Sequence, residues 1–368
     1  MKKALTWLLA FVMVLAVTGC SSPAATAPTA EAPAAEAPTA EAPPADAPAS
    51  AAPAAEAPAA DTKDYSNMKV VALLSGVITD NGWNQICYES VKNLEDKYGV
   101  PCEYIESIAV SDMAEYLRAY GEDGYDMVIV HGSQFEAAVA EVADSYPNTH
   151  FCLSYGFRVN AGSDVNLVEK PNLAYVGPVN MGVVIGSIMG VLTDTNKVVF
   201  LGGQDIPAIT DIVSGIEEGV RLTNKEAEVV TDYLGTLTDA DKAKEVALTY
   251  INAGFDVISA SANSAQLGCL YAAEEKGVYA LGFNGDQYGI APEAVVLSVM
   301  RNYPAIYEDV FLAMAEGNWQ SGMIVYDLSQ NGTLVSDWHG WDTKLPAEKV
   351  QRINDTLQKL FAGELGDY

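Results

Sequence analysis

Histidine and basic charge are what this chain has least of. Its 368 residues hold three histidines, and 49 acidic side chains outnumber 20 basic ones, for a net charge of -29. A phosphate backbone would be repelled, so no nucleic acid is expected as a partner. The five cysteines form no close pair and have no histidines at zinc-ligand spacing, so no metal site is expected either. Cys87, Cys102, Cys152 and Cys269 lie far apart, each in or near an apolar segment. That favours buried free thiols over a disulfide framework, with one bridge left open if the chain is exported.

Catalytic signatures are missing as well. There is no Gly-x-x-x-x-Gly-Lys and no Gly-x-Gly-x-x-Gly, so neither a phosphate cradle nor a nucleotide cofactor is expected. Gly-x-Ser-x-Gly is absent too, and Gly186-Ser187-Ile188-Met189-Gly190 places its serine off centre within an apolar helical stretch. His150 and His339 are isolated. His131 ends an apolar run where a base could sit, yet no acid partner is suggested by spacing, and a buried or turn-satisfying role is the favoured reading. No catalytic residue is nominated, and the chain reads as a binder rather than an enzyme.

No apolar run reaches the roughly 20 residues that a spanning helix needs. The longest, Ala4 to Val17, follows Lys2 and Lys3 and leads to Val17-Thr18-Gly19-Cys20, the arrangement of a signal peptide over residues 1–19. The last four residues resemble the bacterial lipobox, which implies a lipid on Cys20 and attachment to the extracytoplasmic face of a membrane. An ordinary cleaved signal with an incidental cysteine is the alternative. Residues 20–64 are nearly all Ala, Pro, Glu, Thr and Asp in a loose Glu-Ala-Pro-x-Ala repeat. Such a stretch buries no core and reads as an extended tether of about 3.1 Å per residue.

What is left, roughly 300 residues, exceeds the size usually served by one hydrophobic core and predicts two lobes. Short β-branched runs alternate with amphipathic segments, the pattern of parallel strands and crossover helices. The strands of a first series are expected at Lys69 to Leu74, Pro101 to Ile105, Met127 to Val130, His150 to Leu153 and Leu173 to Val176. Those of a second are expected at Val198 to Leu201, Ala227 to Asp232, Asp256 to Ala260, Val278 to Leu281 and Val295 to Val299, with helices at Pro207 to Leu222 and Ala240 to Asn252. Two doubly wound sheets of about five strands follow. Ligands of such sheets bind beyond the carboxyl ends of the strands. The loops there are amide-rich: Gln134, Gln204, Asp205, Asn263 and Gln266 suit neutral polar ligands, although Asn, Asp and Gly also make turns and caps.

Five segments, in order, resemble one family. Val71 to Tyr88 is similar to the first strand and helix of the BMP (basic membrane protein) or PnrA-like nucleoside-binding lipoproteins, and Ala143 to Phe151 to the stretch before their fourth strand. Lys197 to Gly203 with Ile206-Pro207, Gly282 to Gln287, and Leu297 to Arg301 resemble their Gly-Gly turn, their Asp-Gln turn and the strand leading to a basic residue. The resemblance implies a type I periplasmic-binding-protein fold: two doubly wound Rossmann-like α/β lobes joined by a three-strand hinge. Residues 65–177 with about 302–325 would form one lobe, and 178–301 with about 326–368 the other. It further implies an ABC importer's receptor, a monomer that engages permease subunits and captures a purine nucleoside by closing its hinge.

Carried onto this sequence, the resemblance has Asp80, Asn81 and Asn84 meet the base edge and Tyr88 stack on its face, with Asp286 or Asn284 and Arg301 at the ribose. Trp83 is the rival stacker or else a core anchor. Two departures widen the ligand class to other nucleosides, free bases or small polar molecules. The turn reads Asn284-Gly285-Asp286-Gln287, with an amide where the family has a carboxylate, and Ser154 stands where an acidic residue is common. A second aromatic could come from Phe135, Tyr155, Phe157 or Phe283. A receptor feeding a sensor, or a nucleoside hydrolase, is the alternative function.

Overall fold

The computed structural model describes residues 64–156 and 167–364. The signal segment, Cys20, all but the last residue of the tether, and Phe157 lie outside the described residues.

The chain opens with β1 (Val70–Leu74), α1 (Trp83–Tyr98), β2 (Cys102–Ile105), α2 (Met113–Glu122), β3 (Met127–His131), α3 (Glu136–Val142), β4 (His150–Ser154) and β5 (Leu173–Pro178). A second series follows: α4 (Met181–Leu192), β6 (Lys197–Gly202), α5 (Pro207–Thr223), β7 (Glu228–Tyr233), α6 (Ala240–Asn252), β8 (Val257–Ser261), α7 (Gln266–Lys276), β9 (Tyr279–Asn284) and β10 (Val295–Arg301). The chain then returns through α8 (Tyr303–Ala315) and β11 (Gly322–Tyr326), and ends with β12 (Thr333–Val335), α9 (Trp341–Lys344) and α10 (Ala347–Phe361).

Two six-stranded sheets result, ordered β11-β5-β4-β3-β1-β2 and β12-β10-β9-β8-β6-β7. All pairings are parallel except that of β12 with β10. Both faces of each sheet are covered, which is why β1, β3 and β8 are buried along their whole length and mostly apolar. Alternation then divides each strand between two cores: Val70, Ala72 and Leu74 pack toward α1 and α8, whereas Val71 and Leu73 pack toward α2 and α3.

Two strands escape the sequence pattern. β11 and β12 are sheet edges with half-exposed residues; β12 is three residues long, and the short apolar run of β11, Met323 to Tyr326, lies beyond the two series of five strands that the pattern predicts. They matter because the chain passes between the sheets three times: from β5 into α4, from β10 into α8, and from β11 into β12. These three crossings join the two lobes.

Helix α4 is buried at every residue and lies against α5 with almost no space between them. A Cβ at Gly186 would come 2.2 Å from the Ile216 carbonyl oxygen, and one at Gly219 would come 2.2 Å from that of Val183. Glycine here permits backbone contact. Ser187, in the same helix, donates to the Gly219 carbonyl at 3.2 Å and is 1 % exposed, so it is a packing residue. Cys87, Cys152 and Cys269 are buried free thiols and Cys102 is half-buried. Burial pushes the Cys102 and Cys269 thiols up to about 12, which leaves both unionised and unreactive. No helix among the described residues is long and apolar enough to cross a membrane.

Candidate ligand-binding site

The loop from β1 to α1 is built by its own polar side chains. Asp80, 2 % exposed, accepts from the backbone N–H groups of Gly82, Asn84 and Gln85 at 3.0 to 3.1 Å and from Asn84 Nδ2 at 2.8 Å. A carboxylate offers about four such positions, and all are taken by the first turn of α1. Asn84 Oδ1 accepts from the Gly76 N–H at 3.0 Å and from Ser75 Oγ at 3.4 Å. Asp80 and Asn84, expected at a ligand's edge, shape the loop with these bonds, and neither is among the residues that line the cleft.

Trp83 opens α1 and reaches into the gap between the lobes. Its indole stacks on His131, ring centroids 4.0 Å apart and 24° from parallel, while Tyr303 meets its edge. The Arg301 guanidinium lies 4.8 Å from the centre of the Trp83 ring and 5.4 Å from that of Phe283. A cation over an indole is attracted by the ring quadrupole, more strongly when both are out of water, and Arg301 is 4 % exposed.

His131 is fully buried and uses both nitrogens. Nε2 lies 2.8 Å from the Trp83 carbonyl oxygen, which only accepts, so Nε2 carries the proton and Nδ1 accepts from the Tyr307 hydroxyl at 2.6 Å. Burial, with the Arg301 charge adding to it, lowers its pKa to about 3. The neutral ring is a prop for Trp83, as the isolated histidine suggested, and it has no acidic partner with which to act as a base.

Tyr88, expected to stack on the ligand, lies away from the cleft. Five residues after Trp83 on a helix is about 140° around the axis, and Tyr88 accordingly turns to the outer edge of the sheet, where it meets Tyr104 edge-on at 5.0 Å. The aromatic in the cleft is Trp83. Among the candidates for a second ring, Phe135 and Tyr155 belong to the core of the first lobe, and Phe283 is buried beneath Arg301.

The central cleft takes Ser75, Trp83 and Gln134 from the first lobe. The second contributes Ile206, Ile209, Leu237, Ser261, Asn263, Asn284 and Arg301. Its volume is ≈ 30 Å³, space for roughly two waters, because Arg301 and Trp83 fill it. Beyond Asn284 and Arg301 lies a roomier cavity of ≈ 380 Å³, bounded by Asn81, Gln85 and Glu89 on one side and by Gly285, Asp286 and Leu334 on the other. Asn284 is 2 % exposed, adopts φ 70°, and lines both spaces. Its Oδ1 and Gln266 Oε1 are buried acceptors with no hydrogen-bond partner among the described residues.

Asp286 lines the larger cavity with its carboxylate already held, by His339 Nε2 at 2.6 Å and by the Tyr288 N–H at 3.2 Å. Asp205 is exposed and lines neither space; its neighbours Ile206 and Ile209 do instead. Ile209 and Leu237 carry no polar signal and were not among the expected site residues, and neither Ser75 nor Ser261 was named individually. No cluster able to hold a metal occurs among the described residues.

Two parallel α/β sheets, three crossings between them, and a cleft where the carboxyl ends of both sets of strands face each other define a type I periplasmic-binding-protein fold. Over residues 67–365 the chain matches the ABC transporter substrate-binding protein PnrA-like (Bmp) family, and it belongs to that family. Basic membrane protein B of Borreliella burgdorferi is 26% identical over 281 residues, 73% of this chain and 80% of that protein. The Transcriptional activator protein med of Bacillus subtilis is 24% identical over 262 residues, 71% of this chain and 79% of that one. Among solved structures, that of the ABC transporter system solute-binding proteins from Aeropyrum pernix K1 shares the fold with a TM-score of 0.70. It is 18% identical, and the match covers 81% of this chain and 92% of that one.

Proposed function

We propose that the protein is the receptor of an ABC importer, tethered outside the cell by a lipid on Cys20, and that it captures a purine nucleoside by closing its hinge. The observation that carries this reading is the slot over Trp83. The indole is propped by His131, and a planar guanidinium from the opposite lobe lies over the same ring, 4.8 Å from its centre. A planar heterocycle fits the place of that guanidinium and gains from the same aromatic face. Beside it, Asn284 Oδ1, which lines the cleft, is a buried acceptor with no partner among the described residues, and a ribose hydroxyl or an exocyclic amine supplies the donor. Arg301, displaced from the ring, has room in the adjoining cavity that it also lines, where it meets hydroxyl oxygens beside Asp286.

Calorimetry on the purified full chain with purine nucleosides, free purine bases and sugars tests the reading. Purine nucleosides bind with nanomolar to micromolar Kd, about 8 to 12 kcal/mol. Binding of a sugar with no response to any nucleoside would overturn the ligand class while leaving the receptor role intact. A second reading is favoured by the relative named a transcriptional activator: the closed receptor docks on a signalling protein rather than on a permease. Co-purification with the permease subunits in the presence of ligand separates the two.

A further inference from the structure

We infer that Gln287 is a positioning residue that clasps the two lobes and sets how tightly any solute is held. Gln287 is 1 % exposed and fixed within the second lobe, where Oε1 accepts from the Phe283 N–H at 2.9 Å and its own N–H donates to Ser298 Oγ at 3.0 Å. Its remaining arm crosses the gap. Nε2 donates to the backbone carbonyl of Asn81 at 2.8 Å, 206 residues away in sequence and in the first lobe.

The receiving side is shaped for this. Asn81 stands at φ 53°, in the left-handed region where asparagine is among the few side chains tolerated, at the tight turn into α1. The two loops lie close: a Cβ on Gly82 would sit 2.7 Å from Gln266 Nε2 of the facing lobe, and one on Gly285 would be in ordinary contact with the Asn81 carbonyl oxygen at 3.7 Å. None of these atoms belongs to a solute. The bond forms only when the lobes are together, because Asn81 travels with α1 and Gln287 with β9.

A contact made only in the closed state raises the closed population, and with it the apparent affinity for every solute that binds there, by one common factor. Residues that line the cleft change affinities selectively. Gln287 thus governs strength without governing choice. The inference rests on hinge closure as the mode of capture, but not on the identity of the solute.

The test is Gln287→Glu in the full chain. Glutamate keeps the acceptor for the Phe283 N–H and turns its other oxygen toward the Asn81 carbonyl, so the clasp becomes a repulsion. Affinity for inosine and for adenosine falls by the same factor, about tenfold for one buried hydrogen bond. The radius of gyration of the ligand-free chain by X-ray scattering rises above that of wild type. Lowering the pH from about 7 to 5.5 returns both quantities toward wild type, because a glutamic acid held against a carbonyl protonates early and donates as the amide did. Gln287→Asn, one methylene shorter, opens the chain in the same way without recovery in acid, and it carries the test if the glutamate variant does not fold. Unchanged scattering and affinity in both variants overturn the inference, as does a shift in the inosine to adenosine ratio. If no nucleoside binds the wild type, the ligand reading fails, and the scattering arm still decides the clasp.

Discussion

His131 makes stability depend on acid in a way that a single substitution removes. In the fold its pKa is about 3, held down first by burial, whereas an unfolded histidine titrates near 6.5. On acidification the unfolded chain takes up the proton first. The contribution is therefore complete above about pH 6.5 and is lost progressively as the pH falls from there toward 3. Each pH unit costs about 1.36 kcal/mol, so pH 4.5, two units below the unfolded value, removes roughly 2 to 3 kcal/mol. That is a large part of the 5 to 15 kcal/mol that usually holds a domain folded. Burial pushes His150 down as well, so wild type loses somewhat more. His131→Gln isolates the term, since its amide can donate to the Trp83 carbonyl and accept from Tyr307 without titrating, and every other group is common to both chains. Urea unfolding at pH 7.0, 5.5 and 4.5 should show wild type losing roughly 2 to 3 kcal/mol more than the variant across the range. Parallel losses would refute the argument, and would mean that the imidazole under Trp83 takes a proton without unfolding.

Trp83→Ala should weaken nucleoside binding by more than about tenfold, given 0.5 to 1.5 kcal/mol for an aromatic stack plus its burial, while Tyr88→Ala stays within about twofold by calorimetry. Arg301→Ala should cost a nucleoside more than its free base, and equal losses would remove Arg301 from the sugar. Gly186→Ala should destabilise the chain by about 1 to 3 kcal/mol in urea, because its Cβ meets the Ile216 carbonyl oxygen; Gly289→Ala, with nothing within 4 Å, is the neutral control. Asp80→Ala should cost about 1 to 2 kcal/mol by leaving the first N–H groups of α1 without an acceptor.

Ten of the twelve strands and the position of the cleft were legible, because buried parallel strands are written as continuous apolar runs and their carboxyl ends point one way. The roles of individual polar residues were harder. Asp80, Asn84 and Asp286 have the chemistry of ligand contacts, yet each spends its oxygens on its own lobe, and composition does not tell a cap from a contact. Tyr88 was assigned through resemblance, and helical geometry turns it away from Trp83. The lining isoleucines give no polar signal at all. Arg301 was also assigned through resemblance, while its seat on Trp83 depends on a fold that brings residues 83 and 301 together.

That seat is placed where hinge motion must act on it. Arg301 ends β10 and Tyr303 begins α8, so only Asn302 separates a residue of the second lobe from one of the first, yet both touch Trp83. Trp83, His131, Tyr303 and Tyr307 are joined by ring contacts and hydrogen bonds and move as one body. Any rotation about the 301–303 crossing must consequently draw the guanidinium off the indole before it disturbs the stack beneath. The contact is worth about 0.5 to 2 kcal/mol, and a hydrogen bond such as that of Gln287 adds about 0.5 to 1.5. Together they favour the apposed lobes by roughly fivefold to a few hundredfold. Under the proposed mode of capture, a ligand that takes the place of the guanidinium on Trp83 has to replace that contact before its own contacts add to closure.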